Sequence, residues 1–153
     1  MIAAIRIRGT ANVTAKLRTT LEMLRLFKSN HLVLVNEANG GRKMVEKVKD
    51  YVTFGEIDQK TLAVLLERRG RLYGNRKITL EALKEKKVPG FLELAKSVLS
   101  DRRKIKELGI APVFRLHPPR KGHERAGIKK SYKEGGALGN RGPEINELII
   151  RMS

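Results

Sequence analysis

The stretch Ile2–Ile57 reads IAAIRIRGTANVTAKLRTTLEMLRLFKSNHLVLVNEANGGRKMVEKVKDYVTFGEI, and its hydrophobic period passes from two to about 3.6 and back, twice over. In Ile2–Arg8, Ala3, Ile5 and Ile7 alternate with Arg6 and Arg8, the pattern of a strand with one buried face. Gly9 ends it, and Asn12 or Thr14 can cap a helix carrying Leu17, Leu21 and Leu24 on one side. After Ser29–Asn30, the run His31–Val35 is apolar at successive positions and so belongs in the middle of a sheet or under cover. Asn39-Gly40-Gly41 is a turn, and Met44, Val45, Val48 and Tyr51 or Val52 form the apolar stripe of a second helix. Val52–Ile57 supplies a third strand. The order β-α-β-α-β predicts an α+β fold: a small sheet with both helices on one face, in a split arrangement.

Downstream, Asp58 is placed to cap a third helix with Leu62, Leu65 and Leu66 on one side and Gly70 at its end. Arg71–Lys77 is polar and turn-like. Thr79 caps a short helix, LEALKEK, Pro89-Gly90 introduces a helix FLELAKSVLS, and a charged helix DRRKIKELG stops at Gly109. Pro112–His117 alternates again, Phe114 and Leu116 against Val113, Arg115 and His117, and reads as an extra strand. GPEINELIIRM at the end is a helix with Pro143 in its first turn. The expected organisation is a βαβαβ core (1–57), a helical elaboration packed on it (58–111), and a strand, basic arm and terminal helix (112–153), together one structural domain. About 150 residues suffice for a core that buries roughly 68–70% of the unfolded surface.

Charge is the other informative feature. Thirty-three Lys/Arg against 16 Asp/Glu give a formal +17, far beyond what solubility requires. The segment Arg115–Arg141, RLHPPRKGHERAGIKKSYKEGGALGNR, holds eight Lys/Arg against two Glu, with five Gly and hardly any large apolar side chain. Such a stretch is expected to be mobile alone and to be ordered by something outside itself, a polyanion first of all. Arg6, Arg8, Arg102, Arg103, Lys104 and Lys106 are expected as secondary basic surfaces. Arg42 and Lys43, beside the helix start after Gly40-Gly41, are candidate phosphate contacts.

The catalytic and metal classes find no support. No Cys is present, so thiolate metal sites and disulfides are excluded. His117 and His123 lack a third ligand nearby, and His31, opening an apolar strand, reads as a structural histidine with its bonds satisfied. Glu37, Asp50, Glu56 and Asp58 lie near element ends with no nucleophile to serve. The glycines at 135, 136, 139 and 142 lack the strand-before, helix-after context of a dinucleotide loop. No cofactor, small-molecule substrate or membrane partner is expected: there is no run of 18 apolar residues, and MIAAIRIRGT lacks a signal-peptide core, so a soluble cytoplasmic protein is expected. The strands Ile2–Arg8 and His31–Asn36 carry no aromatic for base stacking, so nucleic-acid binding should rest on phosphate contacts and shape.

The segments IRIRGTANVTAKLRTTLEMLRL, HLVLVNE, MVEKVKDYVTFGEID, FRLHPPRKG and GIKKSYKEGGALGNRG together make the whole chain resemble a family of large-subunit ribosomal proteins, called L-thirty in bacteria and L-seven in eukaryotes, in its longer archaeal form. The resemblance implies a ferredoxin-like βαβαβ core with strand order 3-1-2 and a structural, non-catalytic role on large-subunit ribosomal RNA, as a monomer within the ribosome beside neighbouring ribosomal proteins. It implies RNA contacts through basic loops, which fall here on Arg115, His117, Arg120, Lys121, Lys129, Lys130 and Arg141. The residues of the same arm, His123, Arg125 and Lys133, join that set. The resemblance assigns nothing to the basic N-terminal extension of eukaryotic members, and short bacterial members end near Ile57, so they do not inform the middle helices. The competing readings are an RNA-processing or RNA-modifying enzyme on a similar core, and a general DNA-compacting protein.

Overall fold

The mostly apolar run IAAIR forms β1 (Ile2–Arg6) at the centre of the sheet in the computed structural model of the chain. The structure describes every residue except Asn12, Ala38, Asn39, Lys86, Lys87 and Arg102, and only the backbone of Lys84, Glu85 and Arg103. The Asn12 cap, the Asn39 turn position and the basic contacts at Arg102 and Arg103 therefore lie outside what it describes. β2 (His31–Val35) and β3 (Val52–Glu56) flank β1, both antiparallel to it. The helix α1 (Ala15–Met23) joins β1 to β2, and α2 (Gly41–Lys47) carries the chain across β1 to β3. This is the expected split arrangement, with the expected order 3-1-2. β4 (Val113–Arg115) adds antiparallel to β2, and β5 (Gly139–Asn140) adds parallel to β3, so the sheet runs β4-β2-β1-β3-β5.

Alternation along the strands sends side chains to two apolar layers, not one. Ala3, Ile5, Leu32, Leu34 and Phe114 enter one layer with α3 (Gln59–Arg69), α5 (Phe91–Ser100) and α7 (Ile145–Met152). Ile2, Ala4, Val33, Val35, Val52 and Phe54 enter the other, beneath α1 and α2. Both early helices do share one face, as expected. The later helices cover the Ala3, Ile5 and Ile7 face, while the face that Arg6 shares with Ile2 and Ala4 lies beneath α1 and α2, so β1 is buried throughout and the solvated Arg6/Arg8 face is corrected. The period-two pattern misled because Arg6 is a long side chain that can bury its stem while its head finds acceptors within the fold.

The shorter helices α4 (Leu80–Glu85) and α6 (Arg103–Glu107) close the first layer through Leu83 and Ile105. Thr79 does cap α4: its Oγ1 accepts from the Ala82 N–H at 3.3 Å. Asp58 occupies the N-cap position of α3, but its side chain makes no capping bond. Its backbone N–H donates instead to Asn146 Oδ1 at 2.9 Å, tying α3 to the terminal helix. α6 ends in a Schellman turn, with Gly109 at φ +68° and bonds from Gly109 N–H to Lys106 O and Ile110 N–H to Ile105 O, both 2.9 Å. The large apolar layer thus takes residues from all three stretches of the chain, from Ala3 to Met152.

Candidate nucleic-acid interface

The basic arm between β4 and α7 is built around Arg141. Its guanidinium is 5% exposed as a residue and grips Glu124 with two bonds, Nη1 to Oε1 at 2.5 Å and Nη2 to Oε2 at 2.6 Å. Nε donates to Thr53 Oγ1 on β3 at 2.9 Å, Nη2 also reaches the Ala137 carbonyl at 3.3 Å, and the Tyr132 ring lies 4.4 Å from Cζ. All three nitrogens of this cation are therefore engaged within the protein. Burial alone would raise the Glu124 carboxyl, but the Arg141 bonds, its own backbone N–H and the Arg141 and Arg151 charges bring it down to about 2.

Around that pair the arm makes its own backbone bonds. Ala126 N–H donates to Gly135 O, Ala137 N–H to Gly127 O, Leu138 N–H to Lys130 O and Tyr132 N–H to Leu138 O, at 2.7–3.2 Å. Ala137 and Leu138 are buried in the main apolar layer. Gly136 is a structural requirement, since a Cβ there would strike the Lys130 carbonyl. The expectation that this segment needs an outside partner to order it is corrected: a buried ion pair, two apolar residues and backbone pairing hold it against β3. Composition hid this because three or four well-placed residues, not the average of 27, provide the anchor.

The structure separates the predicted contacts into presented and internal cations. Arg115, His117, Arg120, Lys121, Arg125, Lys129, Lys130 and Lys133 are exposed. The backbone N–H groups of His117 and Arg120 donate to the Met152 and Arg151 carbonyls, which fixes the start of the arm to the end of α7. Lys129 and Lys133 meet Lys49 of the α2 end around an open hollow of about 600 Å³ that also holds Glu46 and Asp50. Arg42 and Lys43 are exposed on α2, where Arg42 pairs with Glu46 at 3.2 Å. Lys106 is exposed and Lys104 half-buried on α6.

Two predicted contacts are structural, and the reading of them as presented charges is corrected. Arg6, 3% exposed, spends its guanidinium on four backbone carbonyls: Arg8 and Gly9 at 2.9 Å each, Leu26 at 2.7 Å and Phe27 at 3.0 Å. Arg141 is the second. Arg8 is half-buried, with Cζ 4.8 Å from the Tyr51 ring centre and Nη1 on the Asp50 carbonyl at 3.2 Å.

The histidines differ from one another. His123 is half-buried, and burial, together with Arg141 and Arg151, lowers its pKa against an opposing pull from Glu124. His31 is lowered by burial and then by Arg115, Lys28 and Arg6; its Nδ1 is buried without a partner, so it is not the satisfied residue expected. Glu124, Thr53 and Tyr132 escaped the sequence reading. The available signal was Glu124, one of only two carboxylates among the cations of this segment. Among the described residues no group of His, Asp or Glu could hold a metal ion, and no helix is long and apolar enough to cross a membrane.

The chain is also similar to known proteins. The sequence profile of the family described as Ribosomal protein L30p/L7e matches residues 2–52, which is β1 through the start of β3. Over nearly its full length the chain is similar to the large ribosomal subunit protein uL30 of Nanoarchaeum equitans, 48% identical across 99% of this chain and 97% of that protein. It is 47% identical to the uL30 of Methanococcus maripaludis over 98% of this chain and 97% of that protein. With the uL30 of Methanothrix thermoacetophila it shares 49% identity over 99% of each.

Proposed function

Since this chain belongs to the ribosomal protein L30p/L7e family, with the role of a structural constituent of the large ribosomal subunit, we propose that the arm is its principal contact with ribosomal RNA. The role is structural and not catalytic. The observation that carries the reading is the Arg141–Glu124–Thr53 anchor, which together with β4 and the end of α7 holds eight exposed Lys, Arg and His side chains of the arm on a fixed frame. Preset cations lose little freedom on meeting phosphate, so more of each contact appears as affinity. Arg115, His117, Arg120, Lys121, Arg125, Lys129, Lys130 and Lys133 touch RNA directly; His123, half-buried, supports the loop that carries them. Arg8, Arg42 and Lys43 form a lesser surface. One copy serves each subunit, neighbouring ribosomal proteins are further partners, and the cytoplasm is the compartment this reading implies.

Salt tests it. With six or more phosphate contacts, the affinity of the full chain for large-subunit rRNA should fall about 10³-fold or more between about 50 and 200 mM salt. An affinity nearly independent of salt would overturn the electrostatic account.

A further inference from the structure

The Lys129–Arg141 part of the arm lies toward the β5 edge of the sheet; at the β4 edge, roughly 19 Å away across five strands spaced at about 4.8 Å, is a second cationic surface. Between α3 and α4 the chain doubles back: Arg71 bridges Lys77, Leu72 N–H donates to Arg76 O at 2.8 Å, and Asn75 N–H donates to Leu72 O at 3.0 Å. Gly74 and Asn75 take φ of +83° and +64° at its tip. With the end of α3, this hairpin gathers Arg68, Arg69, Arg71, Arg76 and Lys77. Among the described residues the ion pairs fall elsewhere, on Glu37, Glu46 and Glu124. Burial and the neighbouring Arg71 and Arg68 push the Arg69 guanidinium below its ordinary value, and its Nε is buried without a partner. Against these five cations the stretch 67–77 carries one carboxylate, Glu67. At the tip stands Tyr73, 60% exposed.

The hairpin is continuous with a hollow at the sheet edge. Tyr73 N–H donates to Gly109 O at 3.0 Å, and Ala111 N–H donates to Arg71 O at 2.7 Å. Ala111 in turn borders an open hollow of about 330 Å³ whose walls include Arg25, Phe27, His31 and Arg115 and hold no carboxylate. Phe27 is 51% exposed, yet its backbone is pinned by the Arg6 guanidinium on the Leu26 and Phe27 carbonyls. Two large aromatic rings thus stand in water on fixed backbone, each beside arginines, although Phe27 also borders a second hollow that includes Glu22. A ring so placed offers a base a stacking platform at small entropic cost, and the adjacent guanidiniums meet the phosphates on either side. An acidic peptide would use the arginines and leave both rings idle.

We propose that this edge is a second RNA-binding surface which takes unpaired nucleotides, stacking bases on Phe27 and Tyr73 while Arg25, Arg71 and Arg76 hold the flanking phosphates. The inference rests on the reading that the chain binds large-subunit rRNA, and it adds a mode that the strands themselves, lacking exposed aromatics, do not provide. The protein then grips RNA at both edges of its sheet.

The chain has no Trp, so Phe27→Trp and Tyr73→Trp each introduce a single reporter into the full-length protein. On titration with large-subunit rRNA, with binding followed independently by mobility shift, both should lose most of their emission by stacking. Phe27→Ala and Tyr73→Ala should each weaken binding by about 5- to 100-fold without altering its salt dependence, and Tyr73→Phe should bind as wild type. Arg71→Ala should instead make the salt dependence shallower, by about 0.7–0.9 in the logarithmic slope. RNA bound with both tryptophans unquenched, or both alanine variants binding as wild type, overturns this second surface while leaving the arm intact. An effect of the alanine variants only on assembly with ribosomal proteins would assign the edge to a protein partner and overturn it equally. If the wild-type chain does not bind rRNA at all, the failure belongs to the proposed function.

Discussion

Replacing Glu124 by Gln keeps the shape of the anchor and removes its charge, leaving the Arg141 guanidinium buried with weaker acceptors. Removing one member of a buried pair costs about 3–5 kcal/mol; with 20% of the Glu124 side chain still exposed, about 3 kcal/mol is the expected loss. It should appear first in the arm, as faster hydrogen exchange at Tyr132, Ala137 and Leu138, whose N–H groups bond within it. Exchange there unchanged from wild type would mean that the pair does not hold the arm. The same variant has a pH signature. Glu124 is held near 2 against an ordinary 4.5, so below 4.5 the unfolded chain binds the proton more readily than the folded one, and stability falls as pH drops from 4.5 through about 2. His31 and His123, both lowered from 6.5, act with the same sign from about 6.5 downward. The urea midpoint of the wild type should therefore decline in two stages on acidification, and Glu124→Gln should lack the lower one. Stability rising with acid in either window would contradict the assignment.

At the scale of elements, α1 and α6 end in the same way from different residues. Arg25 N–H donates to Glu22 O and Leu26 N–H to Leu21 O, both at 2.8 Å, the pair of bonds that Gly109 and Ile110 make at the end of α6. Arg25 does so at φ +62°, where a Cβ is unfavourable. Arg25→Gly should thus stabilise the protein by about 1 kcal/mol, read as a raised thermal midpoint, while rRNA affinity falls because a guanidinium leaves the Phe27 hollow. A variant no more stable than wild type would show that the side chain repays its strain by packing. The contrast also marks what is legible in a sequence. Gly109 announces its turn because glycine is chosen for that backbone; Arg25 conceals the same turn because its side chain answers to another demand. Likewise the strands and helices of residues 2–57 follow from hydrophobic period, whereas the burial of Arg6 does not: its four carbonyl partners lie on two loops that only the folded chain brings together. Thr53 and Arg141, 88 residues apart, are invisible as partners for that reason.

For the whole molecule, net charge identified the class of partner correctly but not the geometry of its presentation. A formal +17 says polyanion; it does not say that two of the most centrally placed arginines are internal, nor that the presented cations divide between the two edges of one sheet. That division has a measurable consequence. Perturbations more than about 7–10 Å apart with no shared partner add to within about 0.3–0.5 kcal/mol, and the two edges are roughly 19 Å apart by strand spacing. Lys129→Ala with Lys130→Ala and Lys133→Ala should weaken rRNA binding and lower the logarithmic salt slope by about 2–3, one step of about 0.7–0.9 for each phosphate no longer neutralised. Phe27→Ala with Tyr73→Ala should weaken it without that change of slope. Combined in one chain, the losses should sum in free energy and the slope should match that of the lysine variant alone, because the two edges share no residue and the sheet between them is buried on both faces. A combined loss much smaller than the sum would mean that the two edges compete for one RNA segment instead of holding two.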